Sequence, residues 1–429
     1  MPRFEPFDGL RYDLTRLADD GVALDDVIAP PYDVIDPPAR AELGQRSEWN
    51  AVHLEVPEDD PGTARDRYQV AADLLAAWRE AGLVRPEGRP ALYLYQMSFE
   101  DPGGHDRRTC GVLGALEALP PGEGDVLPHE RTTPKPKGDR LDLLRACRTN
   151  LSPVWGLSMA TGLAALCRPT GPPAAAARDA DGVYHELWPV TDPEAIAAIS
   201  TRVASAPVVL ADGHHRYETA LAYAREQRAR HGGAGGAYDL TMALVVELAE
   251  DELAVGPIHR LVGGLADGLD PVAAFGSRFE LRPADPALAA GTASAATVPG
   301  LLAAADAPAL LTPSGAWYLE AKPETRKEAD DDLDSSRLDL VLADLPPHEL
   351  SFHHDPEEVL AAVAAGRAQA GVLVRPAPVA AIARAANEGR RLPAKTTFFT
   401  PKPRTGMVFR PLCTSSTPAD PEPTAREST

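Results

Sequence analysis

The sequence predicts a mixed α/β fold, on three observations. Short segments that alternate or run apolar recur along it, among them Ala91–Met97, Gly111–Leu116 and Thr241–Leu248, as strands with one or two buried faces do. Between them lie stretches whose apolar residues fall three or four apart, the spacing of a helix face. Gly- and Pro-bearing turns punctuate both kinds of segment.

In chain order, Val27-Ile28 reads as a short strand running into a turn at Pro30-Pro31, and residues 64–81 as a helix striped by Tyr68, Leu74, Leu75 and Trp78. The strands at Ala91–Met97 and Gly111–Leu116 follow, and from Leu127 the composition turns basic and proline-marked. A helix is expected over Asp139–Cys147 and a strand over Val154–Leu157. The Ala- and Pro-rich piece Gly171–Arg178 reads as a surface loop, Val183–Trp188 as an edge strand and Pro193–Ser200 as a helix. Val208–Leu210 is an apolar strand feeding a helix from Tyr217, on which Tyr217 and Leu221 share a face. Gly232–Gly236 is a flexible joint, and residues 240–410 are a further mixed α/β region with a polar loop at Pro323–Ser336. Thr414–Thr429 has the Ser, Thr, Pro and Glu content of a disordered tail.

At 429 residues with 44% hydrophobic content the chain can bury one large core or two to three smaller ones, and two or three domains are expected. Its 42 basic against 63 acidic residues give a net charge of −21, which repels a nucleic-acid backbone and argues against that partner. Basic clusters at Arg131–Arg148 and Lys395–Arg410 suit a small polyphosphate, or simply a solvated face. Cys110, Cys147, Cys167 and Cys413 are widely spaced, so neither a zinc ribbon nor a disulfide framework is indicated. No apolar leader segment and no membrane-length apolar run is present, so a cytoplasmic location and no membrane partner are expected. Oligomeric state is left open.

The chemistry concentrates in Ala206–Ala220, where Val208–Leu210 empties into Asp212-Gly213-His214-His215-Arg216. Gly213 falls at the turn, where a missing Cβ lets backbone approach a ligand closely. The amides opening the following helix, with Arg216 beside them, attract an anion such as phosphate. Asp212 can hold a divalent cation through oxygen, and His214 and His215 can donate hydrogen bonds or move protons. Adjacent histidines at such a turn can also merely cap backbone and fill space. Zinc is disfavoured, since no His-x-x-x-His or His-Glu-x-x-His pairing supplies a second ligand. The absence of a Gly-x-x-x-x-Gly-Lys-Ser/Thr run excludes a P-loop ATPase.

Asp-Gly-His-His-Arg after an apolar strand resembles the ParB/sulfiredoxin superfamily, and within it the free serine kinases. Across the chain, Pro30–Ile35, Leu127–Thr132 with Lys135-Pro136-Lys137 and Asp139-Arg140-Leu141, Ala211–Thr219, Pro257–Arg260 and Lys395–Phe399 resemble the domain of unknown function 1015 family, from about Phe4 to Phe409. The resemblance implies a ParB/sulfiredoxin-like core with an insertion over 126–231, preceded by an N-terminal α/β region over 1–125. A C-terminal α/β domain over 237–412 and the tail over 413–429 would complete it. The insertion is expected around Gly171–Arg178.

Phosphoryl transfer needs donors that fix the phosphates, a metal or cations that offset developing charge, and a carboxylate or imidazole that accepts the nucleophile's proton. Glu130 is the candidate base, on the match of His129-Glu130 to the catalytic glutamate of the kinases it resembles, and Lys135, Lys137 or Arg140 could keep it ionised. Gly213, His215 and Arg216 are candidate phosphate ligands, His214 a catalytic residue and Asp212 the anchor of Mg²⁺. Tyr32-Asp33 could bind an acceptor's amino group or merely close a turn. His259, Lys395 and Thr396 could close over the donor from the C-terminal region. The expected activity is Mg²⁺-dependent phosphorylation of a small hydroxyl compound, by resemblance free L-serine, from ATP, ADP or pyrophosphate. A nucleotide-binding switch and a phosphohydrolase are the alternatives for the same turn.

Overall fold

Nine strands drawn from Phe4 through Glu247 make one mixed sheet in the computed structural model. It describes residues 1–60, 62, 65–101, 103–120, 122–128 and 138–412. The expected tail, and with it Glu130, Lys135 and Lys137, lies outside the described residues. The strands are β1 (Phe4–Glu5), β2 (Leu92–Glu100), β3 (Asp106–Glu117), β4 (Val126–Pro128), β5 (Val154–Ser158), β6 (Ala175–Arg178), β7 (Tyr184–Val190), β8 (Val208–Asp212) and β9 (Leu240–Glu247). Their order is β4-β8-β5-β9-β3-β2-β7-β6, with β1 paired to β3. The pairs β4–β8 and β5–β9 are parallel and the others antiparallel. The sheet runs across the expected boundaries at 125/126 and 231/237.

Both faces of this sheet are covered, which is why β8 reads as a continuous apolar run rather than an alternation. Val208 and Leu210 pack with Ile199, Val203, Tyr217 and Leu221 from two helices, α1 (Pro193–Ala204) and α2 (His214–Arg230). Val209 and Ala211 face the other way, into a core with Leu75 and Trp78 of the helix Arg67–Glu80 and with Phe399 and Phe409 of the returning C-terminal segment.

A second, wholly antiparallel sheet follows, with strands β10 (His259–Gly263), β11 (Phe279–Pro283), β12 (Ala309–Thr312), β13 (Gly315–Ala321), β14 (Glu349–His353) and β15 (Ala370–Leu373) in the order β11-β13-β12-β15-β10-β14. Val359 and Leu360 cover one face, and Leu338 and Val341 of α3 (Asp334–Asp344) the other.

Four local expectations change. Residues 24–27 form a helical turn rather than a strand, because the Asp26 carboxylate accepts the Ala23 N–H at 3.0 Å and closes it. The segment 171–178 contains β6, whose alternate alanines 175 and 177 are buried, so β7 is an interior strand and not an edge. The polar stretch 323–336 holds the helix Pro323–Ala329 and the start of α3: Pro323 is pre-set for a first helical position, and Glu324, Arg326, Lys327 and Glu328 are exposed while Asp334 is buried. The helix after β8 begins at His214, directly after Gly213.

His259 stands buried in β10 with Nδ1 accepting the Val374 N–H at 3.2 Å. Burial, with Arg260, His354 and His353 nearby, pushes the imidazole down to about 3. The folded state therefore keeps His259 neutral where the unfolded chain protonates it, and stability present above the ordinary histidine range is lost as pH falls toward the folded value. Urea unfolding between about pH 7 and about pH 4 is expected to show a loss of roughly 3 kcal/mol from this group. The His259→Asn protein, which keeps an acceptor and cannot ionise, should fall less steeply over the same range; an equal slope would remove His259 from the account.

Candidate functional site

The site forms where β8 ends. A bulge between Leu210 and Asp212 shifts the pairing with β5, so that Asp212 lies opposite Trp155. Such a bulge re-aims the side chain that follows it. Gly213 then adopts φ +81°, a conformation glycine takes without cost, and α2 starts at the next residue. A Cβ there would also meet the Arg216 guanidinium at 3.1 Å. No side chain caps the start of this 17-residue helix, so its opening amides keep the partial positive charge of a helix N-terminus.

Two cations bracket the Asp212 carboxylate. Lys402 Nζ lies 2.9 Å from Oδ1 and Arg216 Nη2 lies 3.2 Å from Oδ2. Burial alone would raise the Asp212 carboxyl, but Lys402 and Arg216 more than offset it and hold the group below its ordinary value. Arg216 is buried too, yet Asp212, Asp33 and Glu55 keep its guanidinium charged. Its Nη1 donates to the Pro153 carbonyl, while Nε has no hydrogen-bond partner among the described residues. His215 Nε2 is likewise buried without a partner among the described residues.

Tyr32 and Asp33 reach this place from the N-terminal region. Arg140 sits 4.4 Å from the Tyr32 ring centroid and donates through Nη1 to the Glu55 carbonyl at 2.6 Å. The Glu55 side chain is buried and accepts the Ser152 hydroxyl at 2.9 Å. A small cavity of about 50 Å³ lies among Glu55, Arg140, Ser152 and Arg216. On the C-terminal side, Lys402 Nζ lies 5.4 Å from the Phe398 ring centroid, and His354 stacks on the same ring at 3.7 Å. Burial first, then Lys402 and Lys395, hold His354 below its ordinary value.

A closed ring of hydrogen bonds fixes the segment that carries Lys402. The Arg404 N–H donates to the Tyr95 oxygen at 3.1 Å, and the Tyr95 hydroxyl donates to His185 Nδ1 at 2.8 Å. His185 Nε2–H donates to Asp179 Oδ2 at 2.8 Å, and that oxygen accepts Arg404 Nε at 2.7 Å. The tautomer of His185 follows from this ring, since Tyr95 already accepts from Arg404. One residue on, Thr405 and Ala29 exchange two backbone bonds of 2.8 and 3.0 Å. The turn bearing Tyr32 and the segment bearing Lys402 are thus stitched to each other beside the site.

Of the residues singled out from sequence, the structure brings together Tyr32, Asp33, Arg140, Asp212, Gly213, His214, His215 and Arg216. His259 lies in β10 with its Nδ1 taken by Val374. Thr396 Oγ1 donates to Ser335 at 2.9 Å, and the Lys395 carbonyl accepts from Arg260. Sequence reasoning did not single out Lys402, Glu55, His354 or the Asp179–Arg404 pair. The one signal available for Lys402 was its place in Pro401-Lys402-Pro403-Arg404, two cations fenced by prolines within the basic cluster 395–410.

The described residues contain no group of three or more His, Cys, Asp or Glu able to hold a metal ion, and no helix long and apolar enough to cross a membrane. No curated protein matches the chain. Among solved structures it is similar to a free serine kinase in complex with AMP, at 13% identity and TM-score 0.33, covering 64% of this chain and 84% of that one. It is similar also to a conserved hypothetical protein from Pyrococcus furiosus, at 12% identity and TM-score 0.32, covering 64% and 87%. SbnI from Staphylococcus aureus gives 10% identity and TM-score 0.38, covering 70% and 87%. The profile of the family described as protein of unknown function (DUF1015) matches residues 4–341, and the chain belongs to that family.

Proposed function

We propose that the protein is a phosphotransferase that moves a phosphoryl group from ATP, ADP or pyrophosphate to a small hydroxyl compound, with free L-serine as the first acceptor to test. The observation that carries the reading is the carboxylate of Asp212 bracketed by Lys402 and Arg216 at a glycine-led helix start with no side-chain cap. Opening amides, a guanidinium and an ammonium on one spot are what phosphate oxygens require. The identity of the acceptor comes from the resemblance of the Asp-Gly-His-His-Arg turn to the free serine kinases.

In this reading Gly213, His215, Arg216 and Lys402 hold the donor's phosphates, with Arg140 close behind. Glu130 accepts the proton of the acceptor hydroxyl as its oxygen bonds to phosphorus and the bond from phosphorus to the donor's bridging oxygen breaks. Tyr32 and Asp33 face the acceptor, the carboxylate suiting an amino group. Mg²⁺ is the proposed cofactor, with Asp212 its protein anchor. Both Asp212 oxygens are already engaged by cations and no cage surrounds them among the described residues. A hard cation could be held there only through water, or after Lys402 or Arg216 gives up its carboxylate oxygen, and would then supply neutralising charge to the donor's phosphates.

The test is phosphorus NMR of the purified protein with Mg²⁺ and L-serine, run in parallel with ATP, ADP and pyrophosphate. A phosphomonoester signal that requires serine and one donor is expected. Asp212→Ala should abolish it, and Lys402→Ala should slow it by on the order of 100-fold, the scale for losing one charge-stabilising donor. A folded Asp212→Ala protein with full turnover would sink the reading. Glu130→Gln is expected to leave donor affinity in place while removing transfer; unimpaired transfer would take the base away from Glu130.

A further inference from the structure

A second place in the molecule collects cations, far along the chain from the Asp212 turn. At the end of the second sheet, where β15 runs out into Val374–Pro378 and β12 begins after Pro308, lies a cavity of about 580 Å³. That volume is in the range of sites for whole small molecules. Arg260, Arg282, Arg326, Arg337 and Arg375 all line it, in a chain whose net charge is −21.

The carboxylates that answer these arginines divide by exposure. Asp334 is 4% exposed and takes Arg375 through Nε at 3.0 Å and Nη2 at 2.7 Å, a buried pair that builds the wall. The others reach in from solvent: Asp306 is 94% exposed, Asp332 84% and Glu320 55%. Ion pairs with such exposed partners contribute little, so Arg337 and Arg326 can turn from them to a bound anion at small cost. Arg282 makes no ion pair among the described residues; its Nη2 donates to the Ala305 carbonyl. Arg337 Nε is buried and has no hydrogen-bond partner among the described residues.

Two helix starts face the same space. Leu333 and Pro378, the residues before α3 and before α4 (Val379–Asn387), both line the cavity, and neither helix is capped by a side chain. Elsewhere Asp36, Asp66, Asp192 and Asp355 cap helices of similar length with their own carboxylates. The partial positive end of α4 is left to the cavity, whereas that of α3 already has Asp334 in its first turn and the Asp331 carboxylate on the Leu333 N–H at 2.9 Å.

We propose that this cavity is a second binding site, for a multiply charged phosphate compound of up to nucleotide size. Guanidinium forks give bidentate recognition of phosphate oxygens, and rim carboxylates stand in for the ligand when it is away. The site is separate from the Asp212 turn and does not depend on the phosphotransferase reading.

The experiment is calorimetric titration of the full chain carrying Arg216→Ala with inorganic pyrophosphate, alongside amide hydrogen exchange. Binding is expected to persist, with slowed exchange over Asp334–Arg337 and none over His214–Tyr217. Adding Arg337→Ala, or Arg282→Ala at an exposed position that leaves folding intact, should weaken it about ten-fold or more. Asp332→Asn should strengthen it by releasing Arg337. No binding in the Arg216→Ala protein, or an affinity unmoved by both arginine changes, would overturn the proposal.

Discussion

The placement of the candidate site rests on one buried ion pair, Arg404 with Asp179, made between residues 225 apart in the chain. An arginine that is 8% exposed against an aspartate that is 6% exposed is costly to desolvate. The ring through His185 and Tyr95 offsets part of that cost, and the Asp181 and Val183 N–H groups donate to the other Asp179 oxygen. Breaking one member would leave a buried charge uncompensated, which is worth more than the pair itself. Because the ring uses both the backbone and the side chain of Arg404, it fixes the direction of the segment as well as its position. Lys402, two residues before, then has little choice but to lie against Asp212.

The electrostatics of the molecule work at two ranges. At long range a net charge of −21 repels anions. That repulsion is screened beyond about 8 Å at physiological ionic strength. At short range Lys402, Arg216, Arg140 and a helix start converge, and low local dielectric magnifies what they do. Recognition of a phosphate by this protein would therefore be a contact event governed by a few buried cations, with little steering from a distance.

Much of this was legible from sequence because the signals were local. Val208–Leu210, Gly213 and the apolar spacing after it state a strand, a turn and a helix in consecutive residues, and the same residues carry the chemistry. Tyr32, Asp33 and Arg140 could be picked out as a proline-marked turn and a basic helix start, though not placed. What stayed hidden depends on pairing. β6 looked like a loop because alternating alanines and arginine give too weak a pattern, and it becomes a strand only by lying beside β7. Residues 323–336 read as a loop because they are rich in charge and, within that stretch, the buried helix positions are the polar Thr325, Asp334, Ser335 and Ser336. Lys402 is unremarkable in its own sequence context, and its role is defined by a carboxylate on β8.

The bridge between Ala29 and Thr405 has a consequence for the order of assembly. Tyr32 leaves the ribosome long before Thr405, whose backbone bonds to Ala29 hold its turn in place. Closing so long a loop comes late, after local contacts have formed. At synthesis rates of about 5–20 residues per second the face of the sheet that Phe399 and Phe409 finally cover stays open for many seconds. A growing chain would thus hold a sheet whose face is covered by the helix Arg67–Glu80 and left open where Phe399 and Phe409 dock, and Asp212, already beside Arg216, would gain Lys402 only with that docking.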